Sequence, residues 1–103
     1  MKHISFLLIT LLGGVSVVTA ASVVAPGAKV EKLAGGMKFT EGPVWLPQQN
    51  KVVFSDIPNS KLMQWSEKNG LSEFRKSEQA NGNILDLQGR IISCQHAARN
   101  IIR

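Results

Sequence analysis

The chain has 103 residues, a length that allows one small domain or less. Its 12 Lys and Arg against 7 Asp and Glu give a formal net charge of +5. Because the basic residues are scattered singly, without a basic run, a recognition helix or an aromatic platform, we expect no nucleic-acid partner. The one cysteine, Cys94, excludes an intrachain disulfide. Its apolar neighbours predict a small buried side chain rather than a reactive thiol with His96 as its basic partner.

The first twenty residues have the features of an export signal. A short basic start at residues 1–3 precedes an apolar run at residues 4–18, and small residues follow up to Ala20, after which cleavage is predicted. The alternative is a membrane anchor, but an apolar run of about fifteen residues is shorter than the roughly twenty that span a bilayer. We therefore expect a signal peptide at residues 1–20, a linker at 21–30, no stable membrane anchor after cleavage, and a periplasmic or secreted location.

The part that follows is predicted to contain only short strands. A partly alternating pattern at residues 30–34 favours one isolated strand, which Gly35 and Gly36 end. Four further strands follow, separated by turn clusters and by the hairpin signal Asn69-Gly70. These strands are predicted at residues 43–46, 51–55, 61–65 and 71–75. Short connections of this kind are typical of an antiparallel meander.

A second stretch repeats the plan about forty residues later, with strands predicted at residues 83–87, 90–94 and 99–103. With a one-residue gap at Gln49/Asn50, Gly42 aligns with Gly82 and Lys51 with Arg90, and further pairs follow the same alignment. A repeat of this length built from short strands is typical of a β-propeller blade. The same alignment places Glu41 and Asn81 at one position of successive blades, where side chains converge on the propeller axis. An all-β fold is predicted.

At this point the sequence resembles a known family. The segment Phe39-Thr-Glu-Gly-Pro-Val-Trp45, with Phe54-Ser-Asp-Ile57 and Trp65 downstream, is similar to the opening blade of the gluconolactonase-like family. This family is also called the senescence marker protein/gluconolactonase/luciferin-regenerating enzyme-like superfamily. The segments Gln79-Ala-Asn-Gly-Asn83, Asp86-Leu-Gln-Gly-Arg90 and Cys94-Gln-His96 resemble its second blade, closest to the exported bacterial members. The resemblance covers residues 31–103.

The resemblance implies a six-bladed propeller with one divalent cation, usually calcium, on its axis, and the hydrolysis of sugar lactones or related cyclic esters. By motif, Glu41 is the expected glutamate ligand. Asn81 is expected in the same layer, where it binds the cation, directly or through a water, or faces the substrate. The remaining asparagine and the aspartate, which is also the candidate catalytic base, are expected beyond Arg103. Calcium binds six to eight oxygen ligands, so this donor chemistry is suitable.

Several of these residues have simpler interpretations. Glu41 could be a surface carboxylate before a strand, and Asn81 could be a turn residue. His96 is a candidate for the pocket lining or an ordinary loop histidine. Gln79 stands where some family members carry a substrate-contacting arginine, so a strongly anionic substrate is disfavoured. Asp56 is predicted to close a tight turn rather than to contact a ligand. Two tryptophans, Trp45 and Trp65, are predicted to pack in the core and between blades.

Residues 31–103 would make the first one and a half blades of such a propeller. Since blades are stabilised by their neighbours, and about three repeats are needed, we expect the chain alone to be inactive and at best partly folded. The predicted function is therefore the N-terminal part of a calcium-dependent sugar-lactone hydrolase with a small lactone substrate and no obligate protein partner. The alternatives are a non-catalytic ligand-binding propeller, since fold does not fix function, and the product of a truncated gene without function.

Overall fold

The computed structural model describes residues 23–103, so the predicted signal peptide at residues 1–20 lies outside the described residues. The chain divides into two units, residues 1–30 and 31–103. In the first unit, the described residues 23–30 contain no helix or strand, and the amide of Ala28 donates to the carbonyl of Ala25 in a turn at 3.1 Å. Within residues 23–103, no helix is long and apolar enough to cross a membrane.

The second unit is built from two antiparallel meanders, as predicted. The first sheet has the order β1-β2-β3-β4, and the second has the order β5-β6-β7. The strands are β1 (Thr40–Leu46), β2 (Lys51–Asp56), β3 (Lys61–Ser66), β4 (Gly70–Lys76), β5 (Ala80–Leu85), β6 (Ile91–Gln95) and β7 (Asn100–Ile102). Short 3-10 turns at Pro47–Gln49 and Ile57–Asn59 connect strands of the first sheet. The all-β prediction is confirmed for these residues.

The two meanders repeat each other in detail. In β1 the pairing with β2 shifts between Glu41 and Val44, and in β5 the pairing with β6 shifts between Ala80 and Asn83. Each first strand therefore carries one extra residue, a β-bulge, at the same place. The registers superimpose with an offset of 40 residues in the first strand and 39 in the second and third strands. The one-residue gap in the sequence alignment is thus confirmed.

A small apolar core lies between the two sheets. Its buried members are Leu46, Val53, Leu62 and Ala80, with Val44, Phe74 and Ile91 packed against them. Successive side chains of a strand point to opposite faces, so Val52 and Phe54 of β2 lie on the other face of the first sheet, where they border an open groove. One face of the first sheet is therefore buried against the second sheet, and the other face is only partly covered.

Three details of the sequence prediction are wrong. The isolated strand at residues 30–34 does not form, because this segment pairs with no strand. Cys94 is exposed rather than buried, since its neighbours Ser93 and Gln95 occupy the inward positions of β6 and alternation turns the thiol outward. Trp45 is half exposed and lies outside this core. Trp65 is half-buried and borders the groove, so its packing between blades stays a prediction.

Candidate functional site

The positions of the two predicted ligands lie side by side. Glu41 and Asn81 each follow the first residue of their strand and lie at the bulge of β1 and of β5. The backbones of these strands touch there, because a methyl group added at Gly42 would overlap the carbonyl oxygen of Asn81. The fold therefore brings together the two chain positions that the repeat predicted to be equivalent. Their role as ligands stays a prediction.

The carboxylate of Glu41 has no protein partner among residues 23–103, since the side chain is exposed and makes no hydrogen bond or ion pair there. It borders an open groove of about 390 Å³ on the partly covered face of the first sheet. The other lining residues are mostly apolar: Leu33, Ala34, Met37, Thr40, Pro43, Val52, Phe54, Trp65 and Leu71. A carboxylate in this setting is available to a cation or to a polar ligand.

Asn81 is half-buried, and its backbone is held more firmly than its side chain. Its carbonyl oxygen accepts a hydrogen bond from the hydroxyl of Ser55 at 2.8 Å, across the two sheets. Its side-chain oxygen accepts one from the amide of Gly82 at 2.7 Å. A carbonyl-type oxygen has two lone pairs, so this local bond leaves the side-chain oxygen with capacity for a second partner.

A polar cluster that the sequence did not predict links the sheets beneath this position. The side-chain nitrogen of Asn83 donates to the carbonyl of Gly42 at 2.8 Å and to the hydroxyl of Ser55 at 2.9 Å. The hydroxyl of Ser93 donates to the side-chain oxygen of Asn83 at 2.6 Å. Ser55 and Ser93 are 0% and 1% exposed. The available signal was the polar Asn83 and Ser93 within strands that otherwise read as apolar.

The predicted substrate residues Gln79 and His96 are also neighbours. The backbone amide of His96 donates to the carbonyl of Gln79 at 3.1 Å. At the equivalent place of the first meander, the amide of Ile57 donates to the carbonyl of Phe39. His96 is exposed and Gln79 is half-buried. The structure thus places a polar pair at an edge of the second sheet where the first sheet has apolar residues, and its contact with substrate stays a prediction.

Asp56 anchors the chain that leads into β1. It is 2% exposed. One carboxylate oxygen accepts hydrogen bonds from the amides of Lys38 and Phe39 at 3.2 and 3.3 Å, and the other accepts from the side-chain amide of Asn59 at 2.7 Å. Burial acts to raise the pKa of Asp56, but these hydrogen bonds and the charge of Lys38 outweigh it, so the pKa is lowered. The prediction that Asp56 closes a turn is confirmed.

The second meander has the same anchor with a different side chain. At the position equivalent to Asp56, Gln95 is 8% exposed and accepts a hydrogen bond from the amide of Glu78 at 2.7 Å. Its nitrogen donates to the side-chain oxygen of Asn100 at 3.1 Å. A buried oxygen acceptor therefore fixes each of the segments that precede β1 and β5. These segments lead directly to Glu41 and Asn81.

The donor set suits part of a calcium site. Within residues 23–103, no group of three or more His, Cys, Asp or Glu side chains could hold a metal ion. Glu41 and Asn81 offer a carboxylate and an amide oxygen, which are ligand types that calcium takes. Two such side chains are fewer than the six to eight oxygens of a calcium site, so they fit as members of a larger set.

Comparison with known proteins agrees with this architecture. The family model described as SMP-30/Gluconolactonase/LRE-like region matches residues 39–103. A gluconolactonase of Zymomonas mobilis subsp. mobilis is 36% identical over 47 residues, which are 46% of this chain and 13% of that protein. The similarity between the two proteins therefore covers only a small part of the Zymomonas gluconolactonase.

Two solved structures are similar as well. An X-ray structure of a protein assigned as a gluconolactonase superimposes with a TM-score of 0.69 at 37% identity, covering 75% of this chain and 27% of that one. A gluconolactonase of Xanthomonas campestris, described as important in glucose secondary metabolic pathways, has a TM-score of 0.59 at 30% identity, covering 63% and 22%. The chain therefore spans less than a third of the length of each of these relatives.

The described residues form two repeated antiparallel meanders whose bulged first strands are in contact. This arrangement defines a repeat protein of the β-propeller type. The chain belongs to the SMP-30/gluconolactonase/LRE-like family, whose model matches most of the described residues.

Proposed function

We propose that this chain is the N-terminal part of a calcium-dependent sugar-lactone hydrolase with a six-bladed propeller, exported to the periplasm or secreted. The observation that carries the proposal is the Glu41 carboxylate, which is exposed, has no protein partner within residues 23–103 and lies at a backbone contact with the Asn81 position. Membership of the family and the similarity to gluconolactonases support the substrate class. The presence of calcium and the blade number are parts of the proposal.

In this proposal the chain helps to bind the cation and to orient the lactone, and it does not supply the catalytic base. Glu41 and Asn81 would hold the cation through their side-chain oxygens, together with further ligands. A bound divalent cation supplies Lewis acidity that polarises a lactone carbonyl. The exposed imidazole of His96 and the amide of Gln79 offer hydrogen bonds to sugar hydroxyl groups. Hydrolysis also needs a base that activates water, which we expect in the later blades of the complete enzyme.

The test of this function is Glu41→Gln in the gene product expressed in its own host. Glutamine keeps the shape of the side chain but removes its charge. Loss of a residue that supports a metal's ligands lowers affinity or activity about 10- to 100-fold. Loss of a ligand should cost at least as much, so we expect calcium affinity and lactone turnover to fall by at least that factor. The matched control is Glu73→Gln, which removes a carboxylate that pairs with Lys61 at 2.8 Å on the outer part of the sheet. We expect the control to keep both properties.

Equal turnover of gluconolactone by the wild type and the Glu41→Gln variant would overturn the ligand role of Glu41. Cation binding without turnover of any sugar lactone by the wild type would instead favour a non-catalytic binding propeller. The intact mass of the native product, measured together with activity, shows which length of chain gives the result.

A second prediction concerns residues 21–103 alone. One face of the first sheet is only partly covered and β7 has an unpaired edge within the described residues. About three repeats are needed to bury the faces in such architectures. We therefore expect this piece to show no lactone turnover and no cooperative thermal transition by far-UV circular dichroism. A cooperative transition accompanied by turnover would contradict the prediction.

A further inference from the structure

We propose that Asn83 is a positioning residue, which fixes the backbone beside Glu41 and Asn81 so that these two side chains are oriented for a divalent cation. The inference rests on the proposed function, because it assigns a supporting residue to the same site. Asn83 was not among the residues that the sequence predicted for the site. It is also not a ligand in this inference, because its side-chain oxygen, the atom that could bind a cation, accepts a hydrogen bond from the buried hydroxyl of Ser93.

The first step is the convergence of three acceptors on one amide. The side-chain nitrogen of Asn83 lies 2.8 Å from the carbonyl oxygen of Gly42, 2.9 Å from the hydroxyl of Ser55 and 3.2 Å from the carbonyl oxygen of Asn81. The hydroxyl of Ser55 itself donates to the carbonyl of Asn81. Asn83 therefore joins the backbone next to one predicted ligand with the backbone of the other.

The second step is that the orientation of this amide is fixed. An asparagine side chain has a donor end and an acceptor end, and the surrounding partners decide which end faces which group. The hydroxyl of Ser93 donates to the oxygen of Asn83 at 2.6 Å, so the nitrogen faces the acceptors on the first sheet. Because Ser55 and Ser93 are almost fully buried, water cannot easily replace these bonds.

The third step is the need for a donor at this place. The carbonyls of Gly42 and Asn81 approach each other where the two bulged strands meet, and both would lose a donor if the amide were absent. Pro43, at the equivalent position of the first meander, borders the groove on the other face of the first sheet and has no side-chain donor. Within residues 23–103, the side-chain donor to the carbonyl of Gly42 is therefore that of Asn83. Groups that hold a metal site's ligands in place are important for affinity.

The experiment compares Asn83→Leu with the wild type in the gene product expressed in its own host. Leucine has nearly the same shape and no donor. Two quantities are measured: the thermal midpoint in EDTA, and the dissociation constant for calcium chloride by calorimetry at a temperature where the metal-free variant is fully folded. We expect the calcium dissociation constant to rise about tenfold or more. The matched control, Gln64→Leu, removes a half-buried amide of β3 that accepts from Lys51 at 2.8 Å, two strands away from β1 in the first sheet. This control should keep the wild-type affinity.

Ser93→Ala provides a milder variant if Asn83→Leu does not fold, because it leaves the amide in place and removes only the group that orients it. A smaller rise of the dissociation constant in the same direction supports the inference. A lower thermal midpoint with unchanged calcium affinity in these variants would overturn it and leave the proposed function intact. Absence of calcium binding by the wild type would overturn the calcium part of the proposed function, and this inference with it.

Discussion

Gly42→Ala is expected to destabilise the fold strongly, while Gly82→Ala, at the equivalent position of the second repeat, should have little effect. Gly42 has a φ of +59°, a left-handed conformation that costs an L-residue about 1 kcal/mol or more. The new methyl group would also overlap the carbonyl oxygen of Asn81, which the hydroxyl of Ser55 holds in place. We expect a total loss of about 3 kcal/mol in the free energy of unfolding.

Gly82 provides the matched control because it has neither constraint within residues 23–103. Its φ lies outside the left-handed region, and an added methyl group would meet no atom of these residues within 4 Å. Alanine there should change the free energy of unfolding by less than about 1 kcal/mol. Thermal denaturation of the three gene products, together with their soluble yield, measures the difference. Equal losses for both variants would show that the backbone contact between β1 and β5 is unimportant for stability.

Replacing the buried carboxylate of Asp56 should have the next largest effect. Asp56→Ala removes the acceptor of two backbone amides and of the Asn59 side chain. Each buried donor left without a partner costs about 1–3 kcal/mol, so we expect a loss of about 3 kcal/mol after partial hydration. Asp56→Asn, which keeps one oxygen acceptor but loses the charge, should lose less. Chemical denaturation at neutral pH, with the gene products expressed in the protein's own host, measures both variants.

The pH dependence of Asp56→Asn tests the same contact in another way. The pKa of Asp56 is lowered below its ordinary value of 3.8 because the hydrogen bonds from Asn59, Phe39 and Lys38 outweigh the effect of burial. A carboxyl group whose folded-state pKa is depressed stabilises the fold above its unfolded-state pKa, and this contribution is lost as the pH falls through the folded-state value. Wild type should therefore lose stability below about pH 4 more steeply than Asp56→Asn.

The comparison isolates Asp56 because the variant keeps Asp86, the other described carboxylate with a lowered pKa. The backbone amide of Arg90 is the main cause of that shift, and it acts in the turn between β5 and β6. Thermal midpoints of both proteins across the acidic range give the difference. Parallel curves for wild type and Asp56→Asn would show that the carboxylate charge contributes nothing to stability.

The sequence was sufficient for the features that depend on local pattern. Apolar strands separated by Gly, Pro and Asn clusters predicted the meander. The spacing from Gly42 to Gly82 predicted the repeat, and the spacing from Lys51 to Arg90, which is one residue shorter, predicted its gap. The predicted first strands began too late, at Pro43 and Asn83, because a bulge containing glycine interrupts the apolar pattern while the pairing continues to Thr40 and Ala80.

The features that failed depend on contacts distant in sequence. The cluster around Asn83 joins residues up to 41 positions apart, which no local pattern encodes. The burial of Cys94 was predicted wrongly because an apolar run does not show which face of the strand meets the other sheet. For the site, the sequence predicted the equivalence of Glu41 and Asn81, and the structure shows the backbone of Gly42, the residue after Glu41, against the carbonyl of Asn81. In the proposed function, a complete calcium site needs further oxygen ligands in addition to these two side chains.

The segments that precede β1 and β5 are each held by a buried oxygen acceptor, but the two acceptors differ in chemistry. The first meander holds the chain before β1 through the carboxylate of Asp56, and the second holds the chain before β5 through the amide oxygen of Gln95. A carboxylate changes its protonation in acid and an amide does not. Protonation of Asp56 in acid therefore weakens the hydrogen bonds that hold the segment before β1, while the bond from Glu78 to Gln95 before β5 is unchanged. The positions of Glu41 and Asn81 in the proposed cation site should therefore differ in their sensitivity to acid.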